Sequence, residues 1–554
     1  MKLVTHPHGG KPIPRLNKSA FRKFIISAII ALPSLLQSQT AGGRTEVFAG
    51  SILESYLRYL QTLGKSQQEP WSIRGFSLRE IDARAPIDTM HPWARHYSFR
   101  RDSSSHIDYV RPTAQIIDNT SYPFGGNDGP LWTGKGITAA IQAGVTGEWG
   151  PLSIRLAPTA FTAQNASFEL YDNGQTGKLQ YANGQFYRQV DLPQRFGNGT
   201  YTRVDPGEST IQLEVSGATI GISTASQWWG PTEQFPYVLG NNAGGFPRAF
   251  IGTAKPANLR IIRIHTRLEY GEMFQSAYSP VTGPQNYVNE DTTGTRRYMA
   301  GIVAALQITR VPGFEIGGGR FFHAPSMKGN AGHILGLPFQ ALLRKRLPLE
   351  EGKENQLGSL FVRWAPPRTG FDIYGEYGRE DFSADTRDYL LEPEHASTTN
   401  VGIRKAWTSG SAINAVKAEV FSYEAPGGSR TRAQGEIFVH GVLRQGHTYR
   451  GQLLSANVGP GSGNAQTVGF DRFTPDGRLS FYFSRVTQYE DRFGLTAPAT
   501  GRHAVDIMNS LGGELTKFLG RIDLTVRAVL TYELGRYLED DASNANFGII
   551  LRGF

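Results

Sequence analysis

From Pro112 to the C-terminus the chain repeats one pattern, in which every second side chain is apolar and those between are polar or charged. In Arg521–Glu533, Ile522, Leu524, Val526, Ala528, Leu530 and Tyr532 alternate with Arg521, Asp523, Thr525, Arg527, Val529, Thr531 and Glu533. Ile262, Ile264, Thr266, Leu268 and Tyr270 alternate in the same way with Ile261, Arg263, His265, Arg267 and Glu269. A period of two puts the two sets on opposite faces of a strand. Long strands with a fully apolar face and a charged one do not build a sandwich core. One face needs an apolar medium and the other needs water. No run approaches the roughly twenty apolar residues of a helical span. A membrane protein of this kind must therefore cross as a closed barrel of strands.

About eighteen such segments fit between Pro112 and Phe554, and a single-chain bacterial barrel is expected to have an even number. Pro475-Asp476-Gly477 and Ser216-Gly217 read as tight hairpin turns. Long polar connections rich in Gly, Asn and Asp are expected at 162–208, 271–297, 325–357 and 424–445. Short turns at one end and long loops at the other is the outer-membrane arrangement. A soluble solenoid or propeller would carry an internal repeat, and none is visible. The expected fold is thus an all-β, antiparallel outer-membrane barrel spanning 111–554.

Ahead of the barrel the pattern changes. Residues 1–41 read as an export signal: basic residues end at Arg22-Lys23, and an apolar stretch from Phe24 to Leu36 follows. Residues 42–110 read as a small helical periplasmic segment. Leu53, Tyr56, Leu57, Leu60 and Leu63 recur at helical spacing, and Ser77 with Glu80 has the spacing of a capping box. The net charge of +9 is mostly the signal's. Six basic residues and no acid lie in the first forty, leaving 51 of the 57 basic residues against all 48 acidic ones. That balance is no nucleic-acid footprint.

Motifs for catalysis are scarce. The chain has no Cys, and it contains no zinc-protease, serine-hydrolase or phosphate-loop signature. Gly134-Lys135-Gly136 precedes a strand, so it is a turn and not a dinucleotide site. No catalytic residue, metal or cofactor is expected. His265, on a charged strand face, is expected to line the lumen.

The densest block runs from Pro206 to Pro256 and contains Trp228-Trp229-Gly230-Pro231, Asn241-Asn242 and Arg248. Indole faces stack on the C–H side of sugar rings, while Asn and Arg bond hydroxyls and carboxylates. The same residues suit an interfacial aromatic belt or interior packing. Neighbouring Trp residues in an extended segment point to opposite sides, one toward a glycan or the lumen and the other toward lipid or scaffold.

Several ordered blocks resemble the Wzi-type capsule assembly proteins of bacterial outer membranes. They are Asn127-Asp128-Gly129-Pro130-Leu131-Trp132 with Gly134 and Gly136, Ser223-Thr224 with Trp228-Trp229-Gly230-Pro231, and Asn241-Asn242-Ala243 with Gly245-Phe246-Pro247. Further on come Val362-Arg363-Trp364, Tyr374-Gly375-Glu376 and Tyr449-Arg450-Gly451. The resemblance implies a lectin without catalysis, embedded in the outer membrane, that holds capsular or extracellular polysaccharide at the cell surface; a monomer in outer-membrane lipid is expected. Trp228, Trp229, Asn241, Asn242, Arg248, Tyr449 and Arg450 are then the candidate glycan contacts, and Gly134, Gly136, Gly230 and Pro231 shape the motifs. The alternative is a porin, general or sugar-selective, whose inner face carries Arg263, Arg267, Asp523 and Arg527.

Overall fold

A computed structural model describes residues 45–99, 106–281, 296–325, 332, 335–339, 354–380, 390–424, 436–441, 443–490, 506–538 and 540–554. The expected export signal lies outside the described residues, as do large parts of the connections at 271–297, 325–357 and 424–445. The rest forms one closed antiparallel barrel of 18 strands. Three of these are interrupted: Leu152–Leu156 resumes as Thr159–Ala163, Tyr201–Asp205 as Thr210–Val215, and Arg248–Thr253 as Ala257–Asn258. The barrel closes where His106–Asn119 pairs with Ala542–Arg552.

The alternation read from the sequence is the alternation of the wall. In Ile522–Leu534 the exposed side chains include Val526, Leu530 and Tyr532, whereas Asp523, Thr525, Thr531 and Glu533 are buried. Ile220, Ile222, Val401, Ile403, Phe481 and Phe483 are exposed on other strands in the same way. An apolar girdle of this extent far exceeds the few hundred Å² a soluble monomer tolerates, so the barrel spans a membrane. No helix among the described residues is long and apolar enough to cross one. The strands meet in tight turns at one end. Ser216 and Gly217 both have positive φ, 51° and 88°, as a two-residue turn of matching twist requires.

The helical segment lies inside this wall. Helix α1 (Ile52–Thr62) is capped by Ser51, whose hydroxyl accepts from the Glu54 N–H. Helix α2 (Leu78–Ala83) carries the complete Ser77–Glu80 capping box, and α3 (Pro92–His96) starts with proline in its first turn. The stripe of Leu53, Tyr56, Leu57 and Leu60 is buried with Ala406, Ile413, Ala415 and Phe473, residues on the inner side of the barrel. Charges complete the docking. Arg58 Nε lies 2.7 Å from Asp372 Oδ2, and the same carboxylate meets Arg363 Nε at 2.9 Å. Tyr59 donates to Asp471 at 2.8 Å, and the Trp71 and Ser72 N–H groups both donate to Glu315 at 2.8 Å. His96 and Tyr97 converge on Asp523 at 2.6 and 2.7 Å. His265 is inward-facing, as expected, with its Nε2 3.2 Å from Glu80. We refer to residues 45–99 as the plug.

A second piece of chain fills the lumen. Between Ala218–Ser223 and Arg248–Thr253, residues 224–247 turn inward, and Trp228–Trp229 pairs antiparallel with Ile73–Arg74 of the plug. Glu419, on the wall, accepts the N–H of Glu233 at 2.7 Å and of Phe235 at 2.8 Å. The core behind it contains Trp229, Phe235, Tyr237, Phe321, Phe361 and Phe421.

Two of the lumenal carboxyls set an acid limit. Burial opposes ionisation of Glu233, but Arg404 at 2.6 Å and Lys417 at 2.8 Å outweigh it and lower its pKa to about 2. Burial is likewise outweighed at Glu80, whose hydrogen bond to His265 and nearby Arg267 and Arg84 lower it to about 2. A lowered folded pKa stabilises the structure above the ordinary carboxyl value and loses that contribution as pH falls through the folded value. The contribution of these two carboxyls should therefore hold from neutral pH to about 4.5 and be lost toward pH 2, and thermal unfolding midpoints should fall over that acid range. In Glu80→Gln the midpoint should start lower and fall less steeply over that acid range.

Candidate functional site

The long-loop end of the barrel gathers sequence blocks that lie far apart in the chain. The Gly129 N–H donates to the Asn241 carbonyl, and Asn241 Nδ2 donates to the Asn127 carbonyl at 2.9 Å and to that of Ala49 at 3.0 Å. Asn242 Nδ2 donates to the Leu453 carbonyl at 3.0 Å. Gln452 Nε2 closes the knot on the Leu131 and Asn242 carbonyls, at 2.9 and 3.2 Å. Between the short strands Thr448–Tyr449 and Gln452–Leu453, Arg450 and Gly451 have φ of 49° and 81°. The Tyr-x-Gly block is thus a tight turn.

Beside this knot is a cleft of about 220 Å³. Trp132 and Tyr537 are half-buried on its walls, with Gln488 and the exposed Asn457 between them. Trp132 is held edge-on by Phe196, with ring centroids 4.9 Å apart. Arg536 sits at the tip of the hairpin after Ile522–Leu534, its guanidinium 4.4 Å from the Tyr122 ring centroid and 4.2 Å from that of Tyr537. Its Nε is 3.4 Å from Glu533. Tyr537 and Leu538 adopt φ of 55° and 67°, a region that side chains other than glycine rarely occupy, and one often found at functional sites. The Tyr537 N–H is held by Asp506 at 2.9 Å. Aromatic walls, amide groups and one stacked guanidinium are the chemistry that sugar rings and hydroxyls need. At this volume the cleft is below the roughly 300–1,000 Å³ of pockets that enclose a whole small molecule. It suits one ring of a chain that lies across the mouth.

The expected contacts fall in two groups. Asn242 lines the cleft, and Asn241, Tyr449 and Arg450 belong to the knot around it. Trp228, Trp229 and Arg248 lie deeper. Neither indole has exposed surface: Trp228 borders the lumenal cavity and Trp229 lies in the core of the scaffold. The physical reason is that their short strand lies within the lumen, where packing covers both sides. Trp228 sits under Arg74, 4.3 Å from guanidinium carbon to ring centroid, and donates to Thr232 at 3.0 Å. Trp229 donates to Gln227 at 2.7 Å and packs edge-on to Phe321. Arg248 Nε is 3.2 Å from Glu269, and Arg450 Nη1 is 3.3 Å from Asp205. Gly230 has φ of 92°, and a Cβ there would lie 2.8 Å from Glu376 Oε2. Gly136 has φ of 81°, and a Cβ on Gly134 would lie 2.5 Å from Trp132. Gly134 thus leaves room for Trp132 on the cleft wall, whereas Gly230 lies in the lumen beside Glu376.

In the sequence Trp132 stands only within a motif, and Gln488, Arg536 and Tyr537 stand in none. A basic-aromatic pair after Gly535, in the short gap between two alternating segments, was the available signal.

No family model matches the chain, and no curated protein sequence matches it. Among solved structures it is similar to Wzi of Escherichia coli, described as an outer-membrane protein involved in group 1 capsule assembly and a carbohydrate-binding β-barrel. That alignment has a TM-score of 0.57 at 13% identity and covers 91% of this chain and 98% of Wzi. OccK2 (OpdF) of Pseudomonas aeruginosa aligns over 80% of this chain and 96% of its own, with a TM-score of 0.37 and 10% identity. A BenF-like porin from Pseudomonas fluorescens covers 80% and 97%, at 0.37 and 9%. The fold of this chain is the Wzi-type outer-membrane barrel, closed by 18 strands around an inward-docked plug.

Proposed function

We propose that this chain is an outer-membrane lectin that binds capsular or extracellular polysaccharide at the long-loop mouth and holds it at the cell surface. One observation carries the reading: blocks at 127–132, 241–242 and 449–453 converge on a cleft walled by Trp132 and Tyr537. The plug and the inward-turned segment reduce the lumen below to a cavity of about 490 Å³, which favours surface binding over transport, and the fold is one that a carbohydrate-binding barrel uses. The protein acts as a monomer, with its apolar girdle in lipid. Trp132 stacks on a sugar ring, and Asn457 and Gln488 bond hydroxyls. Arg248 and Arg450 already face Glu269 and Asp205 and keep the mouth in shape.

Glycan-array binding of the refolded protein tests this, run beside a strain that lacks it and scored for released capsule. Trp132→Ala should cost roughly 1–3 kcal/mol of glycan binding, by analogy with base–aromatic stacking, with the unfolding midpoint little changed. A protein that binds no glycan on the array, or a Trp132→Ala variant of undiminished affinity, overturns the reading.

A further inference from the structure

The wall of the barrel is interrupted at one level on one side. Leu152–Leu156 breaks at Ala157-Pro158, and its neighbour breaks over Pro206-Gly207-Glu208-Ser209. The next strand stops at Ser223, and the one after it begins only at Arg248, behind Pro247. Proline has no N–H to give the ladder, and a proline stands at three of these four places. The following strand, Ile262–Phe274, runs through unbroken.

Outside this break is a notch of about 1080 Å³. Its sides are outward-facing residues of the wall: Leu156, Ile211, Ile222, Ala249, Tyr270 and Tyr298. Leu156 is 45% exposed and Ile222 57%. The chain that turns inward closes the back, since a Cβ on Gly245 would lie 2.3 Å from the carbonyl oxygens of both Thr224 and Ala225. At the upper rim Tyr270 donates to the Leu335 carbonyl at 2.8 Å, and Arg296 meets Glu272 at 3.4 Å in an exposed ion pair. Tyrosines beside exposed charges mark the level at which a barrel leaves the hydrocarbon.

We propose that this notch seats one acyl chain of a membrane lipid, with the headgroup at the Glu272–Arg296 rim. The notch opens onto the girdle, where the surrounding medium is hydrocarbon, so a polar occupant would have to leave water without partners. Left empty, its walls would lose the dispersion contacts that dense packing supplies. Lipid chains are the apolar molecules in contact with this face. A flat stretch of girdle exchanges its lipids freely, whereas a concave seat lined by branched and aromatic side chains holds one.

The full chain, purified in mild detergent and stripped of lipid by exchange, would be titrated with palmitoyl-oleoyl phosphatidylethanolamine and read by native mass spectrometry. Wild-type protein should take up one lipid with a defined affinity. Ala249→Trp, which fills the notch, should bind it at least roughly tenfold more weakly, about 1.4 kcal/mol. Leu530→Trp, placed on the far girdle, should bind as wild type does. If Ala249→Trp fails to show the heat-modifiable mobility of a folded barrel, Ile222→Phe is read in its place. Equal uptake by wild type and the notch variant, or no stoichiometric uptake by wild type, overturns the proposal.

Discussion

Deletion of residues 45–99 should convert a nearly silent barrel into an open pore. In planar bilayers the intact protein is expected to pass almost no ions, and the truncated one to show long-lived conductance steps. The plug meets the wall through Asp372, Asp471, Asp523, Glu315 and Arg263, all inward-facing. Once it is gone, water can solvate those side chains, and charged residues lining an aqueous lumen are what a porin carries. The outer surface is untouched, so the barrel should still run heat-modifiably on gels. If the truncated protein folds and stays silent, residues 224–247 and the loops suffice to close the lumen. If the intact protein conducts freely, the porin alternative gains over the lectin.

The second large effect is on stability. Trp229→Ala should cost ~3–5 kcal/mol of folding stability, the range for large buried aromatics. Its ring lies against two wall strands at glycines: a Cβ on Gly301 would sit 2.7 Å from the indole, and one on Gly319 at 3.1 Å. Neither strand can move in to fill the space without breaking the ladder. Trp228→Ala removes the ring under Arg74 and leaves that guanidinium, itself buried, with less to stack on. Both variants should lower the unfolding midpoint and leave glycan affinity unchanged in the fraction that folds. A Trp228 or Trp229 variant that weakened glycan binding at full stability would return the pair to the binding surface.

The period of two was enough to read the wall, because a strand between lipid and a polar interior has no other pattern available. The Ser77–Glu80 box and the Leu53–Leu60 stripe were equally local signals and correspond to helices in the structure. What fills the lumen was not legible. A charged inner face reads the same whether its partner is water or a plug, since Asp372 is satisfied by either. The Trp pair is legible only in part for a related reason: alternation predicts opposite directions but not what lies in each. The cleft was only half legible. Asn242 stands in a conspicuous block, but Gln488 and Arg536 come from consecutive hairpins near the C-terminus and Trp132 from the first, and closure of the barrel brings Trp132 beside them.

The seam between His106–Asn119 and Ala542–Arg552 has seven paired positions, Thr113–Asn119 against Asn546–Arg552. Neighbouring ladders such as Ile522–Leu534 against Asp506–Leu519 have thirteen. The seam also joins the most distant strands in the chain, so it bears the largest loop-closure entropy of any pairing in the wall. It is therefore the join expected to form last. The plug precedes the first strand in the chain and binds strands on every side. An open, curling sheet can wrap around it, whereas a finished cylinder would have to admit it through one end, past side chains that already fill the bore. Biogenesis of this barrel is then a matter of enclosure: the sheet closes around its contents, and a chain that reached the seam with the plug left outside would be committed to an empty shell.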